Sequence, residues 1–128
     1  MNSWPLNCSK ILSVGLLRAD QLVIEAALQV RSARAELLAS NVANADTPDY
    51  IARDIDFDQA LKNAIDSGIN TPALSNKPSP LENLRYDRND TDPSKELAKA
   101  YQNSLSYIAT LKLYGDSLER LKTAISTS

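Results

Sequence analysis

The stretch Leu38-Ala39-Ser40-Asn41-Val42-Ala43-Asn44-Ala45-Asp46-Thr47-Pro48-Asp49-Tyr50-Ile51-Ala52-Arg53-Asp54-Ile55-Asp56-Phe57 reads as a helix ending followed by an extended departure. Ala39, Ala43 and Ala45 leave little side-chain bulk, and Asn41 and Asn44 can bond nearby backbone groups. Thr47 precedes Pro48 and is therefore pushed out of the helical region. The helix should stop by Asp46. Pro48 suits the second position of a turn, after which the chain leaves through Tyr50 and Ile51. The carboxylate pairs Asp46 with Asp49 and Asp54 with Asp56 lie beside this surface turn and read as solvated turn residues, not as a catalytic dyad.

Upstream of that ending, Val23, Ala27, Val30 and Leu37 recur at helical spacing, with Ile24, Leu28, Ala35, Leu38 and Val42 widening the stripe. Gln29, Arg31 and Glu36 fall on a solvated side. Asp20 can cap the start, which makes 20–46 the N-terminal helix and 1–19 a flexible extension before it. The apolar run Ile11 to Leu17 in that extension is much shorter than the roughly 20 residues that span a bilayer. It has no small-x-small site before Arg18, so it reads as helix-prone and not as a cleaved signal peptide.

Downstream, Asp92 followed by Pro93 is a helix start, because Asp accepts from unbonded backbone N–H groups and Pro in the first turn sacrifices no needed donor. The segment 92–128 then carries three apolar columns: Leu97, Ser104, Leu111, Leu118 and Ile125; Tyr101 and Ile108; and Tyr107, Tyr114 and Leu121. Together they predict a broad buried face. Gly115 within it fits either a close approach of another backbone or an unremarkable glycine in a long helix.

The connector 47–91 has no sustained apolar alternation. Between Asp66 and Thr91 it is punctuated by Gly68, Asn70, Pro72, Asn76, Pro78, Pro80, Asn83 and Asn89, which predicts loop or disorder with at most a short β-hairpin around Leu81 to Tyr86. The expected fold is mainly α: two long amphipathic terminal helices packed as a coiled-coil-like pair, joined by a loop-rich, partly disordered middle.

Composition narrows the function. In 128 residues only 5% are aromatic, so the large side chains that dominate compact cores are scarce and an independent globule is not assured. The chain has no His, which removes triad hydrolysis and most zinc chemistry. Its single cysteine, Cys8, cannot form an internal disulfide and has only Lys10 nearby to activate it, so it reads as inert. A net charge of -2 with interspersed signs offers no basic stripe for nucleic acid. No catalytic, cofactor or metal residues and no small-molecule substrate are expected.

The run Asn41-Val42-Ala43-Asn44-Ala45-Asp46-Thr47-Pro48, with Tyr50 and Ala52-Arg53-Asp54-Ile55-Asp56-Phe57, closely resembles the N-terminal signature of bacterial flagellar axial rod proteins. A weaker match lies at Asn103-Ser104-Leu105-Ser106-Tyr107. The continuation from Arg53 to Phe57 resembles one branch of that family more than the FlgC, FlgF and FlgG branches. Asp49 stands where the family usually has Gly, and Asp is less comfortable than Gly in a turn needing positive φ.

The resemblance implies one axial-type domain and a structural subunit of the proximal rod of the flagellar basal body. It implies export through the flagellar type III apparatus without a cleaved signal peptide, and a place in the periplasmic drive shaft that transmits torque. The implied partners are copies of itself, FlgC, FlgF, FlgG, the adaptor FliE and the membrane ring. The expected assembly face comprises Val23, Ala27, Val30, Leu37, Leu97, Tyr101, Tyr107, Ile108, Leu111, Tyr114, Leu118, Leu121 and Ile125. Such amphipathic faces also suit a second reading, a helical adaptor or secretion-chaperone-like protein that forms a closed oligomer.

Overall fold

The computed structural model describes residues 4–67, 84–87 and 92–126, and the middle segments expected to be loop or disorder lie largely outside these. The described chain runs α1 (Trp4–Ala43), β1 (Ala52–Ile55), α2 (Phe57–Asp66), β2 (Leu84–Asp87) and α3 (Pro93–Ser126). Helices of 40 and 34 residues form the body. They pair antiparallel: Asn41 meets Glu96, Arg31 meets Asn103 and Glu25 meets Tyr114, so one number rises as the other falls.

The start of α3 follows the sequence expectation. Asp92 Oδ1 accepts from the Ser94 N–H at 2.9 Å, satisfying one of the donors that a helix start leaves without an intrahelical partner. The start of α1 does not. The helix begins at Trp4, so Asp20 lies in its interior and residues 4–19 are helical. Pro5 is accommodated in the first turn, where its missing N–H is not needed.

Two features of the connector also differ from expectation. The β2 strand does not close a local hairpin: it pairs antiparallel with β1, Ala52 opposite Asp87 and Ile55 opposite Leu84. The α2 helix was not anticipated. Its signal is Asp56, whose Oδ1 accepts from the Gln59 N–H at 3.3 Å, followed by Phe57, Ala60, Leu61 and Ala64 on one helical face. Burying that face against α1 gives the small core of Val30, Leu37, Ile55 and Ala60, flanked by Ala33 and Phe57. Each large aliphatic side chain so enclosed stabilises the fold by about 1.5–3 kcal/mol.

Of the three columns on α3, only Tyr107, Tyr114 and Leu121 are half-buried with α1. Leu97, Tyr101, Ile108, Leu111, Leu118 and Ile125 are exposed. The broad face is therefore not buried within the chain, because one partner helix covers a single seam of another. At Gly115 nothing lies within 4 Å of where a Cβ would stand, so among the described residues no other backbone approaches it. Gly115→Ala should accordingly stabilise the isolated protein by about 1 kcal/mol through helix propensity. Thermal unfolding tests this, and a lowered midpoint would mean that the position is crowded.

Candidate functional site

The helix-ending stretch builds a lock between α1, β1 and α3, and Asn41 is its centre. This side chain is 1% exposed, and every hydrogen-bonding direction of its amide is used. Its Nδ2 donates to Arg53 O at 2.7 Å and to Glu96 Oε2 at 2.8 Å. Its Oδ1 accepts from the Arg53 N–H and from the Tyr50 hydroxyl, each at 3.1 Å. The amide thus pairs with both main-chain groups of Arg53 as a neighbouring strand would, covering the edge of β1 that β2 does not take. Glu96 is 4% exposed and accepts from Lys99 Nζ as well, at 2.8 Å, so the buried carboxylate has donors on both oxygens.

Asn44 behaves as a helix-end residue. Its Nδ2 donates to Ser40 O at 2.8 Å, supplying a carbonyl near the terminus with a partner. Beyond it, the Tyr50 N–H donates to Thr47 O at 3.3 Å around Pro48 and Asp49, and Asp49 has φ of 61°. Pro at the second position with positive φ at the third is a type II turn, which favours Gly where this chain has Asp. Val42 and Ala45 are half-buried, while Ala43, Asp46, Thr47, Pro48 and Asp49 are exposed.

Asp54 is not a solvated turn residue. It lies in β1 and forms a two-pronged ion pair with Arg34 of α1, Nε to Oδ1 at 2.7 Å and Nη2 to Oδ2 at 2.9 Å, while the Ile55 N–H also donates to Oδ1. Burial opposes its ionisation. The Arg34 hydrogen bonds and charge, the Ile55 N–H and the Lys99 charge outweigh that effect, and the carboxyl titrates below its ordinary range. The Asp54 hydrogen bonds hold Arg34 above its ordinary value in turn, whereas burial and the Arg34 charge lower Arg31. Arg31 lies over the Phe57 ring at 4.2 Å from its centroid, which ties the first residue of α2 back to α1.

The residues that complete the lock, Arg34, Glu96 and Lys99, carry no motif signal. Arg34 lies about two turns before Asn41 in the same helix, whereas Glu96 and Lys99 lie in α3, far from it in sequence, and only the antiparallel pairing brings Glu96 to it. Among the described residues no group of three or more His, Cys, Asp or Glu could hold a metal ion, and no helix is long and apolar enough to cross a membrane. Cys8 is exposed and unpaired.

Two long antiparallel helices fastened at one end by a saturated amide and an ion pair define a helical protein whose architecture agrees with the axial-rod resemblance of its sequence. No protein-family model matches the chain. Individual relatives do, among them flagellar basal body rod proteins FlgB of several bacteria. The protein of Aeromonas hydrophila is 38% identical over 114 residues, covering 77% of this chain and 86% of its own length. That of Yersinia enterocolitica is 32% identical over 132 residues, covering 87% and 93%. That of Salmonella typhimurium is 34% identical over 123 residues, covering 77% and 87%. The chain belongs to the family of flagellar basal body rod protein FlgB.

Two predictions follow from the geometry of the lock. Asn41→Ala strands the Arg53 backbone groups and one Glu96 oxygen, at a cost of about 1–3 kcal/mol for each buried group left unpaired. Asn44→Ala loses one helix-end bond, at about 0.5–2 kcal/mol by analogy with measured caps. Urea unfolding should rank the first variant clearly below the second, and equal midpoints would show that the buried amide is dispensable.

Because the folded pKa of Asp54 lies below its unfolded value, its contribution to stability is complete above the ordinary 3.8 and is lost as pH falls through the depressed folded value. Asp54→Asn should therefore flatten the acid limb of the stability–pH curve. A limb of unchanged steepness would remove the Arg34 pairing as the cause.

Proposed function

We propose that this chain is a non-enzymatic subunit of the proximal rod, working by assembly with copies of itself and with the related rod proteins FlgC, FlgF and FlgG. Membership in the FlgB family makes it a structural component of the flagellar basal body rod. On the finer reading it sits in the periplasm beside the adaptor FliE and the membrane ring, reaches that place through the flagellar type III apparatus without a cleaved signal peptide, and transmits torque.

The observation that carries the assembly reading is the apolar side of α3. Leu97, Tyr101, Ile108, Leu111, Leu118 and Ile125 are 44–68% exposed on one long helix, too much apolar surface to leave in water along a structural subunit. Val23 on α1 is exposed as well, whereas Ala27 is half-buried and Val30 and Leu37 belong to the internal core, so these last two support the subunit and do not form its outer surface. Heterologous contacts that do not close into a ring generate a helical rod. A helical adaptor in a closed oligomer could use the same apolar side, but the rod identity of the relatives favours the open assembly.

Replacing Leu111 or Leu118 by Asp should leave the helicity of the isolated chain intact, because both side chains are already exposed. It should abolish swimming, because a charge in a dry helix interface is costly. Circular dichroism of the purified variants, with secretion and motility of cells carrying them, reads this out. Normal swimming by exported Leu111→Asp and Leu118→Asp variants would discard the α3 stripe as an assembly surface.

A further inference from the structure

The α3 helix carries two parallel stripes with the same alternating four-and-three spacing, offset by one residue. The inner stripe, Glu96, Ala100, Asn103, Tyr107, Thr110, Tyr114, Ser117 and Leu121, is buried or half-buried, and it is largely polar. The outer stripe, Leu97, Tyr101, Ser104, Ile108, Leu111, Gly115 and Leu118, is exposed and far more apolar. A helix pair built only for the stability of this chain would turn the other way, because apolar residues at seam positions give the burial that drives pairing.

The arrangement present has a cost. Asn103 is 2% exposed, yet its Oδ1 has no partner among the described residues, and Ser117 Oγ and Gln21 Nε2 are likewise buried without one there. What holds α3 in this rotation is a set of three polar rungs: Glu96 to Asn41, Asn103 Nδ2 to Arg31 O at 2.9 Å, and the Tyr114 hydroxyl to Glu25 Oε1 at 2.9 Å.

We propose that Glu96, Asn103 and Tyr114 are positioning residues that fix the rotation of α3 about its own axis, so that the apolar stripe faces outward and remains available to a neighbouring rod subunit. A helix turns about 100° per residue, so a roll that brought the outer stripe onto α1 would break all three rungs at once. Each rung contributes one polar contact to that choice. Together they select one of two rotations that the shared four-and-three spacing permits, as a single polar seam residue selects register in a coiled coil. The identity of the outer stripe as the assembly face rests on the function proposed above, but the rotation itself is a property of the isolated chain and is tested there.

The test places a single cysteine at Tyr107→Cys or Ile108→Cys in a Cys8→Ser background and compares their rates of alkylation by a maleimide. Ile108 is 63% exposed and Tyr107 half-buried, so the second position labels faster than the first in the otherwise unaltered chain. Adding Glu96→Ala, Asn103→Ala and Tyr114→Phe should invert that order as α3 rolls. Because three changes together could unpair the helices and expose both positions, the ratio is also read in the Asn103→Ala and Tyr114→Phe single variants. A ratio that falls stepwise with each lost rung supports the assignment. Glu96→Gln, which can still accept from Asn41, should leave the ratio unchanged. A ratio indifferent to the single and triple variants overturns the proposal, whatever the motility of Leu111→Asp cells, and the assembly reading stands or falls by that second assay.

Discussion

The bonds between the Asn41 amide and the Arg53 backbone are the constraint on which the rest of this fold depends. One side chain in the last turn of α1 supplies the hydrogen-bonding edge of a strand, so the chain after the Thr47–Tyr50 turn is held against the helix instead of trailing away. That placement lets Ile55 and Phe57 reach the α1 surface and start α2 where Ala60 can be buried. The same amide reaches Glu96 and thereby sets where α3 begins along α1. A buried amide with every direction used is either right or costly, which is why it specifies a single arrangement more sharply than an apolar contact would.

The Arg34–Asp54 pair works beside it at a different level. Its two parallel hydrogen bonds fix the direction of β1 relative to α1, and the Ile55 N–H on the same carboxylate extends that constraint into the strand. Arg31 over Phe57 then closes the approach of α2. The end of the molecule near α2 is thus held by polar geometry around a small apolar core, while the long α1–α3 pair beyond it relies on sparse polar rungs and leaves its better apolar stripe outside. This division agrees with the proposed assembly, in which neighbours would cover the apolar stripe that the α1–α3 pair leaves exposed.

Much of this was legible in the sequence. The helix ending before Thr47, the turn through Pro48, the Asp92-Pro93 start of α3 and the pairing of two long helices follow from local chemistry, since capping, the conformational limits of proline and apolar period act over a few residues. The family signature could be read from Asn41 to Phe57 for the same reason. Asp49 was readable as a residue in a turn that favours glycine, and its positive φ is what that turn requires. The α2 helix was also present in the sequence, in the Asp56 cap and the spacing of Phe57, Ala60, Leu61 and Ala64, but it is short and follows directly on the motif.

What the sequence by itself determined is therefore the two long helices, the turn that follows the first, and the family. The partner of each buried polar group was decided only by the tertiary structure. Asn41 reads locally as a helix-end residue like Asn44, and nothing near it in the chain announces Arg53 O or Glu96. Asp54 reads as a hydrated carboxylate until Arg34 lies opposite. On α3 the three apolar columns are equivalent by period, and periodicity cannot say which of them turns inward. That choice depends on hydrogen bonds to residues 55 to 89 positions away, Asn41 to Glu96 and Glu25 to Tyr114, and such contacts exist only once the two helices are side by side.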